Sequence, residues 1–467
     1  MIVFIVYINT NYAFTNLQTE MNAFKAYDIR GVYNTDFDKN DVYRIGFFLP
    51  NLLKAEKVLV GQDVRESSPE IFEYLCNGIT DSGADVYTIG LSTTPMVYWA
   101  TARYAFDASV MITASHNPKE YNGLKVSRTN ALPVGFDAGL GELQKLVETA
   151  EINRATQKGK LIEFNVKDDY LEFQRHYLND ISNLEIAMDC SNGMAALLIK
   201  DILGDQPIYI FDELDGSFPN HEANPLEAEN IVDLQKLVAE NKSDIGVIFD
   251  GDADRVMFVD ENSKFISPDL IIALLAEYFL VEKGLKGNVL QDIRTSKAVG
   301  ETIRKYGSVM HTWKVGRAFA SMKLREIDGI YGGELAGHYY FRDFYYSDSG
   351  IMACLIVLDI VSKLKEKGIR LSQAIASISK FANSGEINFK IEQKQEAMDA
   401  IRTHFLNQES PSASFDFDGY RLEFKDWWFN VRPSNTEPYL RFLAEATDAE
   451  MLESKIAAVR EIIATFK

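Results

Sequence analysis

KVLVGQD (57–63), PEIFEYLCNGITDSG (69–83), DVYTIG (85–90), PMVYWATARY (95–104) and DASVMITAS (107–115) are the segments whose reading decides the fold. The first, third and fifth are short apolar runs of strand length, and the two between them carry helical patterns opened by proline. Strands that alternate with helical stretches of about 10 residues or more imply parallel or mixed sheets covered by helices. Working outward, the alternation recurs over 185–250, from EIAMDC through AALLIKDILG (195–204) to DIGVIFD. It recurs again over 288–335, from NVLQDIR to GIYGGEL. No fixed-period repeat accompanies it, so the three blocks are kin in architecture only.

The tail differs. From Glu386, a strand (INFKIE, 387–392) and a helix (395–406) precede three strand-like runs, RLEFKD, WWFNVR and PYLRFLAEA, and a closing helix at 449–463. Clustered strands flanked by two helices predict a small α+β unit. The expected fold is therefore α/β: three similar α/β mixed-sheet domains at 21–165, 166–264 and 265–382, plus a smaller C-terminal α+β domain at 383–467, around a central cleft. At about 150 residues per domain, the 467 residues leave room for this division. Residues 1–20 read as an N-terminal extension, with Met21 a candidate start of translation.

Lys plus Arg total 48 against 68 Asp plus Glu, a formal charge of −20. Such a surface is unsuited to duplex nucleic acid or an anionic membrane, and an anionic ligand would need cations gathered locally. Cys76, Cys190 and Cys354 are too scattered for a disulfide framework or a zinc site, which fits a reducing compartment. No apolar run reaches about 18 residues, and the opening MIVFIVYI has neither a basic start nor a cleavage site, so a cytoplasmic protein is expected.

Four loops carry chemistry. Asp250-Gly251-Asp252-Ala253-Asp254-Arg255 follows an apolar strand, so three carboxylates at alternating positions can converge on one hard cation. An EF-hand loop would need glycine where Arg255 stands and helices where strands flank it, which leaves a solvated acidic turn as the bland alternative. In Thr113-Ala114-Ser115-His116-Asn117-Pro118, a serine leaves a strand at a tight turn. By itself that is an ordinary turn, but a phosphate on Ser115 could supply a ligand that three aspartates leave a magnesium ion lacking. Lys125 would bring a cation to the same place.

Gly332-Gly333-Glu334-Leu335-Ala336-Gly337-His338 combines glycines for close approach with two side chains that can bond hydroxyls. Arg432-Pro433-Ser434-Asn435-Thr436, with Arg441 beyond, offers a bidentate cation, hydroxyls and an amide, the parts of a phosphate clamp or of a structural turn.

Together with Phe24-Lys25-Ala26-Tyr27-Asp28-Ile29-Arg30-Gly31, these loops resemble the α-D-phosphohexomutase family, most closely its bacterial phosphomannomutase/phosphoglucomutase branch. The match runs from about Met21 to the end, in that family's motif order. The resemblance implies four domains around one cleft, each giving one loop. It implies a phosphoserine at Ser115 and Mg2+ held by Asp250, Asp252, Asp254 and the phosphoserine oxygen.

It further implies that Glu334, Ala336 and His338 lie on the loop that reads the sugar. Arg432, Ser434, Asn435 and Thr436 would grip the non-reacting phosphate, with Tyr27, Arg294 and Arg317 as further substrate contacts. Arg30, His116, Lys125, Arg255 and His338 join Ser115 as candidate catalytic residues. The expected reaction interconverts hexose 6-phosphate and hexose 1-phosphate, mannose before glucose, through a hexose 1,6-bisphosphate that also primes the enzyme. The expected partner is a small sugar phosphate, with no nucleic acid and no membrane, and the chain is a monomer or homodimer.

Three positions depart from the pattern. Ala336 stands where serine is common, and Arg294 where lysine is frequent. Arg317 replaces a frequent histidine and is a far worse base, which turns attention to His338 or Lys125. Phosphoglucosamine mutase is the alternative within the family. Outside it stand a magnesium-dependent sugar phosphatase, which has no need of the Arg432 clamp, and a non-catalytic acidic metal-binding protein, which leaves the Ser115 turn unexplained.

Overall fold

The structure, a computed structural model, describes residues 22–434 and 439–466; the extension 1–20 lies outside the described residues. Four sheets follow one another along the chain. In the first, Lys57–Gln62, Asp85–Leu91, Ala108–Ile112 and Leu161–Glu163 run parallel, and Tyr121–Arg128 then Ile29–Val32 continue antiparallel beyond Ala108–Ile112. In the second, Ile186–Asp189 lies between parallel Ile208–Ile210 and Ile245–Phe249, and Val256–Asp260 and Phe265–Ile266 follow antiparallel. In the third, Asn288–Asp292 lies between parallel Val309–Trp313 and Gly329–Gly333, with Tyr339–Phe341 and Ser347–Asp348 antiparallel beyond.

This common plan locates the chemistry. In each sheet one loop joins the last parallel strand to its first antiparallel partner. Those loops contain Ser115, Asp250 to Arg255, and Glu334 to His338. The three α/β mixed-sheet units of the sequence reading are thus present. Beside them stands a fourth, antiparallel sheet, built on Trp427–Pro433 and Tyr439–Ala446 and covered by helices Lys394–Leu406 and Ala449–Ile463.

Packing ties the first three units together. The helix Gly350–Glu366 is apolar nearly all round and buried from Gly350 to Ser362, so it must be enclosed rather than laid on a surface. It follows the third sheet yet packs on strands of the second, in a core that also takes in Trp99 and Tyr331. The fourth unit has a separate core around Trp427, Phe429 and Phe405.

One predicted element is broken. AALLIKDILG forms a short 3-10 turn, Met194–Leu197, and a five-residue helix, Ile199–Leu203. The cause lies just before it. A Cβ on Gly193 would sit 2.7 Å from Gly251 O, and Met194 N–H donates to that same carbonyl at 2.9 Å. The start of the segment therefore serves as a shelf under the aspartate loop rather than as a helix.

Candidate active site

Ser115 has φ +54°, a left-handed backbone that a residue with a side chain keeps only when its surroundings impose it. Arg65 imposes it. Its buried guanidinium donates to the carbonyls of Ser115 (2.8 Å), Asn117 (2.6 Å), Pro118 (2.7 Å) and Tyr121 (3.0 Å), and it pairs with Asp63 at 3.2 Å. The turn so fixed aims Ser115 Oγ at Asp250 Oδ2, 2.8 Å away. His116 Nδ1 lies 3.4 Å from the same hydroxyl; burial, then Arg255, push its pKa well below the usual histidine range, so the ring is neutral. Arg30 reaches the turn through Asn117 Oδ1 at 2.8 Å and pairs with Asp28.

Asp250, Asp252 and Asp254 are buried and bring carboxylate oxygens within 4.8 Å of one another. The loop can turn so tightly because Ala253 adopts φ +61° and Arg255 N–H donates to Asp250 Oδ1 at 3.2 Å. Lys125 Nζ donates to Asp252 Oδ2 at 2.7 Å and Asp254 Oδ2 at 2.5 Å, and the Thr94 hydroxyl also donates to Asp252. Burial, reinforced by Asp254 and Asp252, holds the Asp250 carboxyl well above the usual carboxylate range. Burial opposes the charge on Asp254 too, but Lys125 and His338 outweigh it and hold that group well below the range. Asp252 Oδ1 is buried and accepts no hydrogen bond. Convergent, all-oxygen and incompletely satisfied, this set fits a hard divalent cation.

The third loop docks directly on the second. Glu334 N–H donates to His338 O at 2.9 Å, and Val256 N–H to Gly337 O at 3.2 Å. Gly337 has φ +85°, and a Cβ there would meet Met257 Cε at 2.7 Å. His338 Nδ1 is 3.0 Å from Glu334 Oε2, while Nε2 is 3.4 Å from Asp254 Oδ1 and 3.2 Å from Arg255 Nε. Burial and Arg255 oppose a charge on the ring, but Asp254 and Glu334 prevail and raise its pKa to about 9. Glu334 falls to about 2, with His338 overcoming the cost of burial. Lys125 is likewise raised, by Asp252 and Asp254 against burial. Both candidate bases therefore hold protons here, which suits them to offsetting negative charge.

Glu334 Oε1 also accepts from Gly316 N–H at 2.6 Å, and Oε2 from Tyr340 OH at 3.1 Å. Tyr27 OH donates to Val315 O at 3.1 Å, and its ring occupies the space a Cβ on Gly316 would need. Arg317 lies 3.4 Å over the Tyr98 ring and 3.3 Å from Asp348 Oδ1. Ala336 is half-buried in the turn and brings no hydroxyl.

Across the cleft the charge balance reverses. Arg432 is buried at the end of Trp427–Pro433, with Glu386 Oε2 at 3.8 Å; Glu386 also lies 3.2 Å from Arg441. Arg294 is held bidentately by Asp292, at 3.1 and 2.7 Å. Burial, then Arg294, lower the Arg432 pKa. Buried cations that repel one another are suited to receiving an anion. Ser434 follows at the strand end, its N–H donating to Tyr439 O at 2.9 Å, while Asn435 and Thr436 lie outside the described residues.

Comparison with known proteins matches all four units to one family. Phosphoglucomutase/phosphomannomutase alpha/beta/alpha domains I, II and III match residues 21–152, 168–263 and 267–381, and the C-terminal domain matches 386–462. A phosphomannomutase of Methanocaldococcus jannaschii is 34% identical, with 95% of this chain and 98% of the relative covered. One from Vibrio cholerae is 36% identical, covering 95% and 98%. The chain belongs to this family.

A crystal structure of a phosphoglucomutase/phosphomannomutase family protein from Burkholderia thailandensis superposes with TM-score 0.84 at 26% identity, covering 96% of this chain and 98% of that one. Family membership bears out the phosphohexomutase class, an isomerase acting on a small molecule, expected from the sequence. Among the described residues, no helix is long and apolar enough to cross a membrane.

Within this family frame, several residues at the site escaped the sequence reading. Arg65 shapes the Ser115 turn, Thr94 touches Asp252, and Asp348 stands between Arg317 and His338, 3.7 Å from His338 Nε2. None sits in a loop with a composition signal. Arg65 follows the strand Lys57–Gln62 by three residues, and its position just past a strand end was the one available clue.

Proposed function

We propose that the protein interconverts hexose 6-phosphate and hexose 1-phosphate, with mannose phosphates favoured and glucose phosphates also accepted, through a phosphoryl group carried on Ser115. The observation that carries this reading is the Ser115 hydroxyl, held on a strained, Arg65-pinned turn 2.8 Å from Asp250 Oδ2. A buried hydroxyl held beside a carboxylate of the aspartate loop is placed where a phosphoryl group on it would meet a cation bound by that loop. The names of the relatives favour mannose.

In this reading Asp250, Asp252, Asp254 and a phosphoserine oxygen hold Mg2+, which when bound offsets charge on the transferred group. Lys125, Arg255, Arg30 and the His338 imidazolium add to that offset, since phosphoryl transfer depends mainly on positioning and charge neutralisation. Arg294 and Arg432, with Ser434, Asn435 and Thr436, grip the phosphate that is not moving. Glu334 and His338 meet the sugar hydroxyls, and Tyr27 and Arg317 close the sides. Phosphorylated Ser115 gives its group to the sugar monophosphate, the 1,6-bisphosphate turns around, and the other phosphate returns to Ser115. The same bisphosphate primes an unphosphorylated chain.

Incubation with mannose 1-phosphate, glucose 1-phosphate and glucosamine 1-phosphate, each primed with a hexose 1,6-bisphosphate, tests the reading. Formation of mannose 6-phosphate, with slower glucose turnover, is expected. Preference for glucosamine 1-phosphate would move the chain to the phosphoglucosamine branch. Release of inorganic phosphate without isomerisation would make it a phosphatase.

A further inference from the structure

Arg421 stands in the strand Tyr420–Glu423 of the fourth sheet and is fully buried, an uncommon place for a guanidinium. Its Nη1 donates to the carbonyls of Ile293 at 2.8 Å and Thr295 at 2.6 Å, the residues on either side of Arg294. Nε donates to Glu423 Oε1 at 2.8 Å, and Nη2 lies 2.7 Å from the same oxygen. The guanidinium carbon sits 3.9 Å over the Trp428 ring. Fixed by a carboxylate along one edge and an aromatic face below, the fork is preorganised to hold two peptide carbonyls in one position.

That position matters because of what lies between the two carbonyls. Asp292 orients the Arg294 guanidinium through Nε and Nη2, and it accepts from Arg294 N–H at 2.6 Å. Asp292 therefore sets the side chain within the third unit. The tie between that peptide segment and the fourth unit comes from Arg421, whose strand pairs with the one bearing Arg432. Other bonds at this junction, Ser296 Oγ to Glu445 Oε2 at 2.6 Å and Lys297 Nζ to Phe424 O at 2.7 Å, dock the start of the helix Lys297–Lys305.

We propose that Arg421 is a positioning residue for phosphate recognition: by gripping the backbone on both sides of Arg294, it sets the spacing between Arg294 and Arg432, so that two units present one preformed phosphate site. The proposal rests on the reading that Arg294 contacts the non-reacting phosphate.

The test is a double-mutant cycle with Arg294, following KM for the hexose phosphate, kcat and Tm. Arg421→Met combined with Glu423→Gln removes the fork without leaving an unpaired, partly buried carboxylate. This double variant is expected to raise KM about fivefold with a smaller change in kcat, and Arg421→Lys should recover part of the loss because it keeps the charge but not the fork. On an Arg294→Ala background the same double change should add less than about twofold, since residues acting through one another are non-additive. A folded double variant with unchanged KM, or the same fold-increase on both backgrounds, would overturn the proposal. Should the double variant fail to fold, Arg421→Lys alone carries the test: it must raise KM by about twofold or more, and that effect must vanish on Arg294→Ala. Unchanged KM in Arg294→Ala itself would instead remove the reading of Arg294, a separate failure visible before Arg421 is touched.

Discussion

The aspartate loop and the Arg432 region face one cleft with opposite solutions to buried charge. Around Asp250, Asp252 and Asp254, anions crowd until Lys125 must bridge two of them and Asp250 is pushed toward its neutral form. Around Arg432, cations crowd, and among the described residues Glu386 is the carboxylate within ion-pair range of it, with Asp418 acting from farther away. The difference shows what each end awaits. One end is short of positive charge and suits a divalent cation; the other is short of negative charge and suits a phosphate. In an acidic protein of net charge −20, Arg294, Arg432 and Arg441 supply the local cations that an anionic ligand would need.

Breaking the anionic end should have the largest effects. Ser115→Ala is expected to lower turnover by at least about a thousandfold while sugar-phosphate binding, measured by calorimetry, persists on the intact clamp. Stripping divalent cations with a chelator should abolish turnover, and added Mg2+ should restore it; full activity in chelator would contradict the assignment of the aspartates.

Breaking the cationic end should be milder and of a different kind. Arg432→Ala is expected to raise KM about tenfold or more with a smaller fall in kcat, because the clamp acts in the ground state but also holds the sugar in line. Arg432→Lys should recover part of this.

His338 sharpens the comparison through pH. Its pKa is raised to about 9, so the stability it contributes is complete below the unfolded value near 6.5 and is lost as pH rises through about 9. The unfolding free energy, measured by denaturant melts, should thus fall between pH 7 and 9.5 more steeply in the wild type than in His338→Gln, a difference of at most about 3 kcal/mol. Parallel slopes would place the ring outside the charge network. Smallest of all, Ala336→Ser should change KM for mannose 1-phosphate by less than about fivefold, one hydroxyl's worth of binding.

The sequence made the two ends legible to different degrees. Asp250 to Asp254 announce themselves because a cation site needs several carboxylates within a few residues, and the strand before them fixes where they emerge. Glu334 and His338 are readable because glycines on both sides mark a turn, and Gly337 does take φ +85° there. Arg65, Asp348 and Arg421 are not readable, because each acts on a loop brought near by folding: Arg65 on the Ser115 carbonyl, 50 positions along the chain, and Arg421 on a segment in another unit. A single charged residue beside a strand has no pattern until its partner is in place.

The fold was read well where alternation was regular and poorly where tertiary packing overrode it. The helix Gly350–Glu366 lacks a polar face to reveal its period, and Lys39–Leu53 carries Pro50 in its last turn. Met194–Leu203, which has helical periodicity, is instead interrupted by the aspartate loop above it.

The central claim, that Ser115 carries the phosphoryl group, is tested most directly by intact-mass measurement with peptide mapping after incubation with a hexose 1,6-bisphosphate. One added phosphoryl group, mapped to Ser115 and lost on chase with excess hexose monophosphate, is the result predicted. A chain that turns over substrate while remaining unmodified, or is modified at another residue, would contradict it.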